Sequence, residues 1–458
     1  MKIGTTAGNV GTINSKTFGK GEFIVLPNST LGTNKDAYTI QYLGGFKNIP
    51  NNGELSAISH SASFIAGIQN DVTDPTKPIA RIVLARIPYT ELTAGTKAIE
   101  FGKGLDELYK NLSNKNPKAP EFKIFDALKI ISDKDELGST FDKELRGNIY
   151  ANVQRRMFEI GDTFTTSYNN LKNNELYAKK RFKAGAIVTG GKSKDKNAGV
   201  EDYKSNTLGT IVMYEKDYAK YGRSTNISLG FTETKFNFDL GSKERVHSLH
   251  LGTGYEDLLA DNKLKFSTRG QVTISRHNTK RKIHLSNGVF ENKGKYWSEM
   301  IEWKNMLRYE IPTVGGRMTA GVFGTFDLGY GKFKNISENG DGVELKIKSE
   351  RIHSVKPGIG ADITLRHYTK NGKISLVGTA TAEYELGKIY DGANQAKIKN
   401  SSAAYYDLEK AKELKDIYKV GAQLQYETNS GHKLGIGVVR EEGSIRATRY
   451  GVNLMYKF

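Results

Sequence analysis

The residues able to do chemistry are few and scattered. The chain carries 8 histidines and no cysteine, so thiolate nucleophiles, disulfides and Cys-based zinc or iron–sulfur sites are excluded. No GxSxG, Walker loop or HExxH occurs, and the histidines lack zinc-ligand spacing. His247 and His250 lie three apart in a segment that alternates like a strand, hence on opposite faces, where they make poor partners for one metal. Ser248 does not share the face of His247, so no serine–histidine pair forms there. Catalytic residues, cofactors and metal ligands are therefore not expected. The remaining charge chemistry lies in a basic cluster, Arg276, Lys280, Arg281 and Lys282, and in the pair Arg155 and Arg156, followed by Met157.

Composition bounds what these groups can serve. The chain has 458 residues, 68 Lys+Arg against 50 Asp+Glu, a net charge of +18 and a mean hydropathy of −0.52. Nucleic-acid binding needs clustered Lys and Arg along one stripe. Here the basic residues are dispersed, and no nucleic acid is expected. No apolar run is long enough for a transmembrane helix. A transmembrane β-barrel, however, needs only every second residue apolar, and its mean hydropathy is as low as this one.

The elements that must position these residues alternate with period two. Tyr450, Val452, Leu454, Tyr456 and Phe458 share one face, with Gly451, Asn453, Met455 and Lys457 on the other. The same pattern recurs upstream to Phe182, and about twelve strands are expected between Arg181 and Phe458, an even number as bacterial outer-membrane barrels require. Short turns such as YTKNGK and IPTVGG alternate with long polar connections over 192–205, 276–296, 331–354 and 388–416. A barrel with short turns at one rim and long loops at the other produces that order, and a Greek-key sandwich does not. The face opposite the apolar one carries charges of both signs, among them Lys304, Arg308 and the acids Glu302, Glu383 and Glu385, which suits a hydrated lumen. Aromatic residues near strand ends fit interfacial girdles.

A helix is expected over 139–172. Ser139 or Thr140 can cap it, and Leu145, Ile149, Val153, Met157, Ile160 and Phe164 recur at spacings of three and four. At 1.5 Å per residue, two dozen residues give about 36 Å, enough to cross a barrel lumen. Arg155 and Arg156 are expected to meet Glu302, Glu383 and Glu385 there. The basic cluster falls in an expected outer loop. Residues 1 to about 100 are rich in Gly, Thr, Asn and Ser, with short apolar pieces that suggest β structure, and GKGLDELYKNL and FKIFDALKII read as two short amphipathic helices that bridge this part to the helix over 139–172.

A helix, a long series of alternating strands and a last strand ending in Tyr456-Lys457-Phe458 together resemble the C-terminal translocator of monomeric type V autotransporters. The resemblance implies an all-β transmembrane barrel of about twelve antiparallel strands with the helix through its lumen. It divides the chain into a passenger stub (1–135, with the last rungs of a β-solenoid), a pore-spanning linker (136–175, its helix from Asn148 to Leu171) and the barrel (176–458). Tyr456 and Phe458 would be the signal read by the barrel-assembly machinery. The expected partners are outer-membrane lipid, lipopolysaccharide and the chain's own passenger, commonly an adhesin, with the barrel a monomer in the outer membrane. Some members cleave the passenger between adjacent asparagines. Asn169-Asn170 and Asn173-Asn174 lie late in the helix without the family's surrounding pattern and read as a helix end. The competing readings are an open diffusion pore and a barrel phospholipase. The N-terminus lacks the apolar stretch of a signal peptide, and the chain is expected to begin inside a larger exported protein.

Overall fold

The structure, a computed structural model, describes residues 2–4, 13–14, 21–26, 40–47, 55–71, 79–115, 122–172, 180–197, 199–218, 222–260, 263–311, 316–389, 392–413 and 415–457. Among the described residues, seven short strands open the chain: β1 (Lys2–Gly4), β2 (Ile13–Asn14), β3 (Gly21–Leu26), β4 (Gln41–Lys47), β5 (Leu55–Ser59), β6 (Phe64–Asp71) and β7 (Ile79–Arg86). β1, β3 and β5 stack in parallel, as do β2 and β4, while β6 and β7 close the second sheet as an antiparallel pair. Phe23, Val25, Leu55, Phe64, Ile82 and Leu84 form the core of these strands.

Helices α1 (Tyr89–Leu92), α2 (Ile99–Lys115), α3 (Phe122–Lys129) and α4 (Lys134–Thr140) follow. Asp106 ties the first two together, accepting from the backbone N–H of Tyr89 (3.0 Å) and Thr90 (2.9 Å) and from Arg86 Nη1 (2.7 Å). Beyond α4 the expected continuous helix is interrupted. A π-turn over Phe141–Leu145 and a 3-10 turn over Asn148–Tyr150 precede α5 (Val153–Lys172). The break is at Gly147, whose φ of 84° is left-handed and whose Cα faces Leu345, so that a Cβ would lie 2.5 Å from Leu345 Cδ1.

The rest is the barrel: β8 (Lys180–Asp195), β9 (Tyr203–Asp217), β10 (Ser224–Phe238), β11 (Lys243–Leu259), β12 (Leu264–Leu285), β13 (Gly288–Ile311), β14 (Met318–Phe333), β17 (Arg351–Thr369), β18 (Gly372–Tyr384), β21 (Asp416–Thr428), β22 (Lys433–Gly443) and β23 (Ile445–Lys457). Each pairs antiparallel with the next, and β23 pairs with β8 over Lys457↔Lys183 to Ile445↔Asp195, closing 12 strands without an edge. Outward positions are apolar, as with Leu208, Phe231, Leu249, Ile274, Ile301 and Ile359, which are exposed and need lipid to cover them.

Two expectations about loops are corrected. Residues 276–296 are not a loop. β12 and β13 pair without interruption from Leu264↔Tyr309 to Leu285↔Gly288, a hairpin that rises beyond its neighbours because polar residues can continue a ladder once the wall has left lipid. The connections over 331–354 and 388–416 contain β15 (Ile336–Gly340), β16 (Leu345–Ile347), β19 (Gln395–Ile398) and β20 (Tyr406–Asp407), which extend from β13 across the loop end. Against them pack α2, α3 and the interrupted segment. Phe101, Leu105, Phe125, Phe141, Leu145 and Ile149 share one core with Ile336, Val343, Leu345, Ile347, Ile398 and Tyr406. The ring of Phe101 lies 5.4 Å from that of Tyr406, edge to face.

Candidate functional site in the barrel lumen

Helix α5 has 20 residues, about 30 Å at 1.5 Å per residue, and lies inside the barrel. Its polarity follows from its end contacts. Near the loop end, Arg155 Nη2 donates to Glu441 Oε1 (3.0 Å) on β22, and Arg156 Nε lies 2.5 Å from Glu244 Oε2 on β11. At the other end, Lys172 Nζ is paired with Glu215 of β9 and lies 2.6 Å from Ser224 Oγ and 3.3 Å from Glu256 Oε2. The helix thus enters from the loop rim and ends at the rim where β8 begins and β23 ends.

Between these anchors the fit is built from small residues and stacked rings. A Cβ at Gly161 would lie 2.4 Å from Glu302 Oε2, so the missing side chain lets β13 approach. Phe164 stacks on His250 with centroids 4.5 Å apart, and the guanidinium of Arg269 sits 4.2 Å from the centroid of Tyr168. Tyr168 donates its hydroxyl to Asn226 Oδ1 (2.7 Å), Tyr203 donates to Glu159 Oε2 (3.0 Å), and Lys304 Nζ reaches Asp162 Oδ1 (3.2 Å). Thr166 and Asn169 stay exposed along one flank of the helix, whereas the side chains of the core above the loop end are buried.

Arg155, Arg156 and Met157 are all buried, but the two arginines meet Glu441 and Glu244 rather than the expected acids. Glu302 holds Lys304 (3.0 Å) and Gln271 (3.2 Å), Glu383 holds Lys419 (3.0 Å), and Glu385 accepts from Ser354 Oγ (2.5 Å) and the N–H of Val355 (2.7 Å) and Gly387 (2.8 Å). For Glu302 the reason is height: the arginines sit in the first turn of α5, level with the loop ends of β11 and β22, whereas Glu302 lies near the middle of β13. Glu383 and Glu385 stand at the loop end of β18 and are taken up by Lys419 and Ser354. Glu441 was findable, because continuing the outward series Leu434, Ile436, Val438 puts residue 441 inside.

Glu244 is itself held. His277 Nδ1 is 2.7 Å from Glu244 Oε1, His277 Nε2 is 2.7 Å from Ser298 Oγ, and Tyr296 donates its hydroxyl to Glu244 Oε1 (2.5 Å) while its ring stacks on His277 at 4.2 Å. The order serine, histidine, carboxylate is that of an acyl-transfer relay. Here all three are buried and the free side of the carboxylate faces Arg156, so the series holds Glu244 in place opposite the helix.

The basic cluster divides by strand alternation. Arg276, Lys280 and Lys282 lie on the outward face of β12, while Arg281 turns inward, correcting its expected place in an outer loop. It makes a two-pronged pair with Glu338 (2.9 and 2.8 Å) and donates to the carbonyls of Glu144 (3.1 Å) and Val343 (2.6 Å). Above the barrel, burial and the neighbouring Glu144 push the Glu201 carboxyl up to about 8, against the pull of Arg281 and Arg156. Tyr456 is exposed on the outer wall with its ring stacked on His432 (4.1 Å). Phe458, Asn173 and Asn174 lie outside the described residues, and Asn170 is buried with its Oδ1 accepting from Gln423 (3.2 Å).

The comparisons follow this geometry. The autotransporter beta-domain family matches residues 186–439, more than half of the chain. The translocator domain of the autotransporter NalP from Neisseria meningitidis is similar in fold, with 13% identity, a TM-score of 0.52, and coverage of 68% of this chain and 100% of that one. The beta domain of the Bordetella autotransporter BrkA matches at 11% identity and a TM-score of 0.43, covering 61% of this chain and 99% of its own. The transport unit of AIDA-I from Escherichia coli matches at 10% identity and a TM-score of 0.38, over 65% and 98%. No curated protein sequence matches the chain. A closed barrel with an apolar outer wall, a helix in its lumen and the family match over its strands leave one assignment: the chain belongs to the autotransporter family, and its barrel is the outer-membrane translocator through which its passenger is secreted to the cell surface.

Proposed function

We propose that this conformation is the translocator after secretion, with residues 136–175 left behind as a plug and the preceding 1–135 held at the surface as the end of an adhesive passenger. As domains, such translocators are in general non-enzymatic, and we read the barrel as a route rather than a catalyst. Tyr456 and Phe458 serve as the terminal signal for the barrel-assembly machinery, and lipopolysaccharide is the outer-leaflet partner. The observation that supports the plugged reading best is the anchoring of α5 at both ends, Arg155 and Arg156 at one rim and Lys172 at the other. Opposite charges across a buried face hold register as well as position.

Conductance tests it. In planar bilayers the full chain should pass little current, and deletion of residues 139–172 should raise single-channel conductance severalfold. Equal conductance of the two would remove the helix from its role as plug and favour the open-pore reading.

A further inference from the structure

On the outward face of β10–β13, just beyond the apolar rows at the loop end, cations from adjacent strands stand directly opposite one another. Lys243 faces Lys280, and Lys280 faces Lys293, three lysines abreast on three strands. Two residues nearer the apolar rows, Lys235 faces Arg245, Arg245 faces Asn278 and Asn278 faces Lys295. A third row joins His247, Arg276 and Trp297. Below it the wall is apolar on β10–β12, with Phe231, Leu249 and Ile274 in register, while on β13 the same row holds Glu299, paired with Lys332 (2.8 Å). Four residues of strand separate first row from last, so the belt is about 13 Å tall at 3.3 Å per residue.

Like charges directly opposite in a ladder destabilise it unless something neutralises them. Within these rows the acid is Glu233, near Lys235 (3.3 Å) and Arg245 (3.4 Å), and beside them Glu291 lies 3.7 Å from Lys280 and 3.5 Å from Lys293. Among the described residues, Lys243, Arg276 and Lys295 have no acidic partner within ion-pair distance. On the far side of the wall Arg440 and Arg446 both pair with Glu442, so these two cations are already engaged by an acid.

We infer that this belt is a binding site for the phosphorylated head of an outer-leaflet glycolipid, lipid A with its two phosphates. The acyl chains lie on the rows of Phe231, Leu249 and Ile274, and the phosphates bridge the opposed cations of β11–β13. Trp297 marks the level at which apolar wall gives way to headgroup. A basic patch that begins where an apolar wall ends fits an anionic lipid better than a free anion, because both halves of an amphiphile are matched. The inference rests on the reading that this wall sits in the outer membrane.

The two tryptophans of the chain are Trp297 and Trp303, so Trp303→Phe leaves Trp297 as a reporter inside the belt. The full chain carrying it, folded in neutral detergent, is titrated with bisphosphorylated lipid A, with dephosphorylated lipid A and with inorganic phosphate. Bisphosphorylated lipid A should shift the emission saturably. Combining Arg245→Gln, Lys280→Gln, Lys293→Gln and Lys295→Gln should weaken that binding at least tenfold, and removing the lipid phosphates should do the same, while Arg440→Gln with Arg446→Gln should change nothing. Equal binding by the four-site variant, or by the dephosphorylated lipid, overturns the site, and competition by equimolar inorganic phosphate overturns its assignment to a lipid. Retained heat-modifiable migration shows that each variant is folded. Absence of the wild-type chain from the outer-membrane fraction would overturn the membrane reading, an outcome distinct from equal binding in detergent.

Discussion

Arg156 of the lumenal helix and Glu244 of β11 face each other with Nε and Oε2 2.5 Å apart, and neither side chain reaches solvent. Removing one member of such a pair strands the other charge. Arg156→Met or Glu244→Gln alone should therefore cost about 3–5 kcal/mol, whereas the pair Arg156→Met with Glu244→Leu should cost far less. Urea unfolding of the refolded chain, followed as a double-mutant cycle, checks this; additive losses would mean that the two groups act independently.

Gly147→Ala should be costly for two separable reasons. The φ of 84° disfavours any Cβ, and the new methyl meets Leu345 Cδ1 at 2.5 Å. A loss of about 1–3 kcal/mol is expected from the backbone strain, and Leu345→Ala in the same chain should relieve only the steric part. Susceptibility to protease between α4 and α5 on intact cells reports the effect; unchanged resistance would show that the break at Gly147 does not hold the linker.

The structure above the barrel should weaken as pH rises. Glu201 ionises at about 8 in the folded chain against 4.5 for the free group. Below 4.5 both states hold the proton; between 4.5 and 8 only the folded state does, so folding stability declines across that window and is level above it. Melting at pH 5 and pH 8 should show the decline in the wild type and a smaller one in Glu201→Gln, and identical slopes would exonerate Glu201.

Much of this was legible in the sequence, and the failures have physical causes. Alternation located the barrel strands because lipid outside and water inside sort residues by parity, as in Tyr450 to Tyr456. The same signal vanished over 276–296, where the outward residues Arg276, Asn278 and Lys280 lie beyond lipid and both faces are polar. The strands β15, β16, β19 and β20, of 5, 3, 4 and 2 residues, are too short for any period to register. Helical spacing found α5 and put Arg155 and Arg156 inside, yet could not choose their acids, since partners across the lumen depend on the height and rotation of the helix. Arg281 was grouped with its neighbours in sequence although strand alternation turns it the other way.

The shared core of Phe101, Phe141 and Leu145 with Leu345, Ile398 and Tyr406 has a mechanical meaning. With the N-terminal strands held at the surface, as proposed, tension on them reaches α2 and α3 before it reaches α5. The load is then borne in shear by a broad apolar contact with the barrel's own loops, and the helix in the lumen is spared from being drawn out one ion pair at a time. An anchor of this kind resists traction at the surface without any covalent link beyond the chain itself.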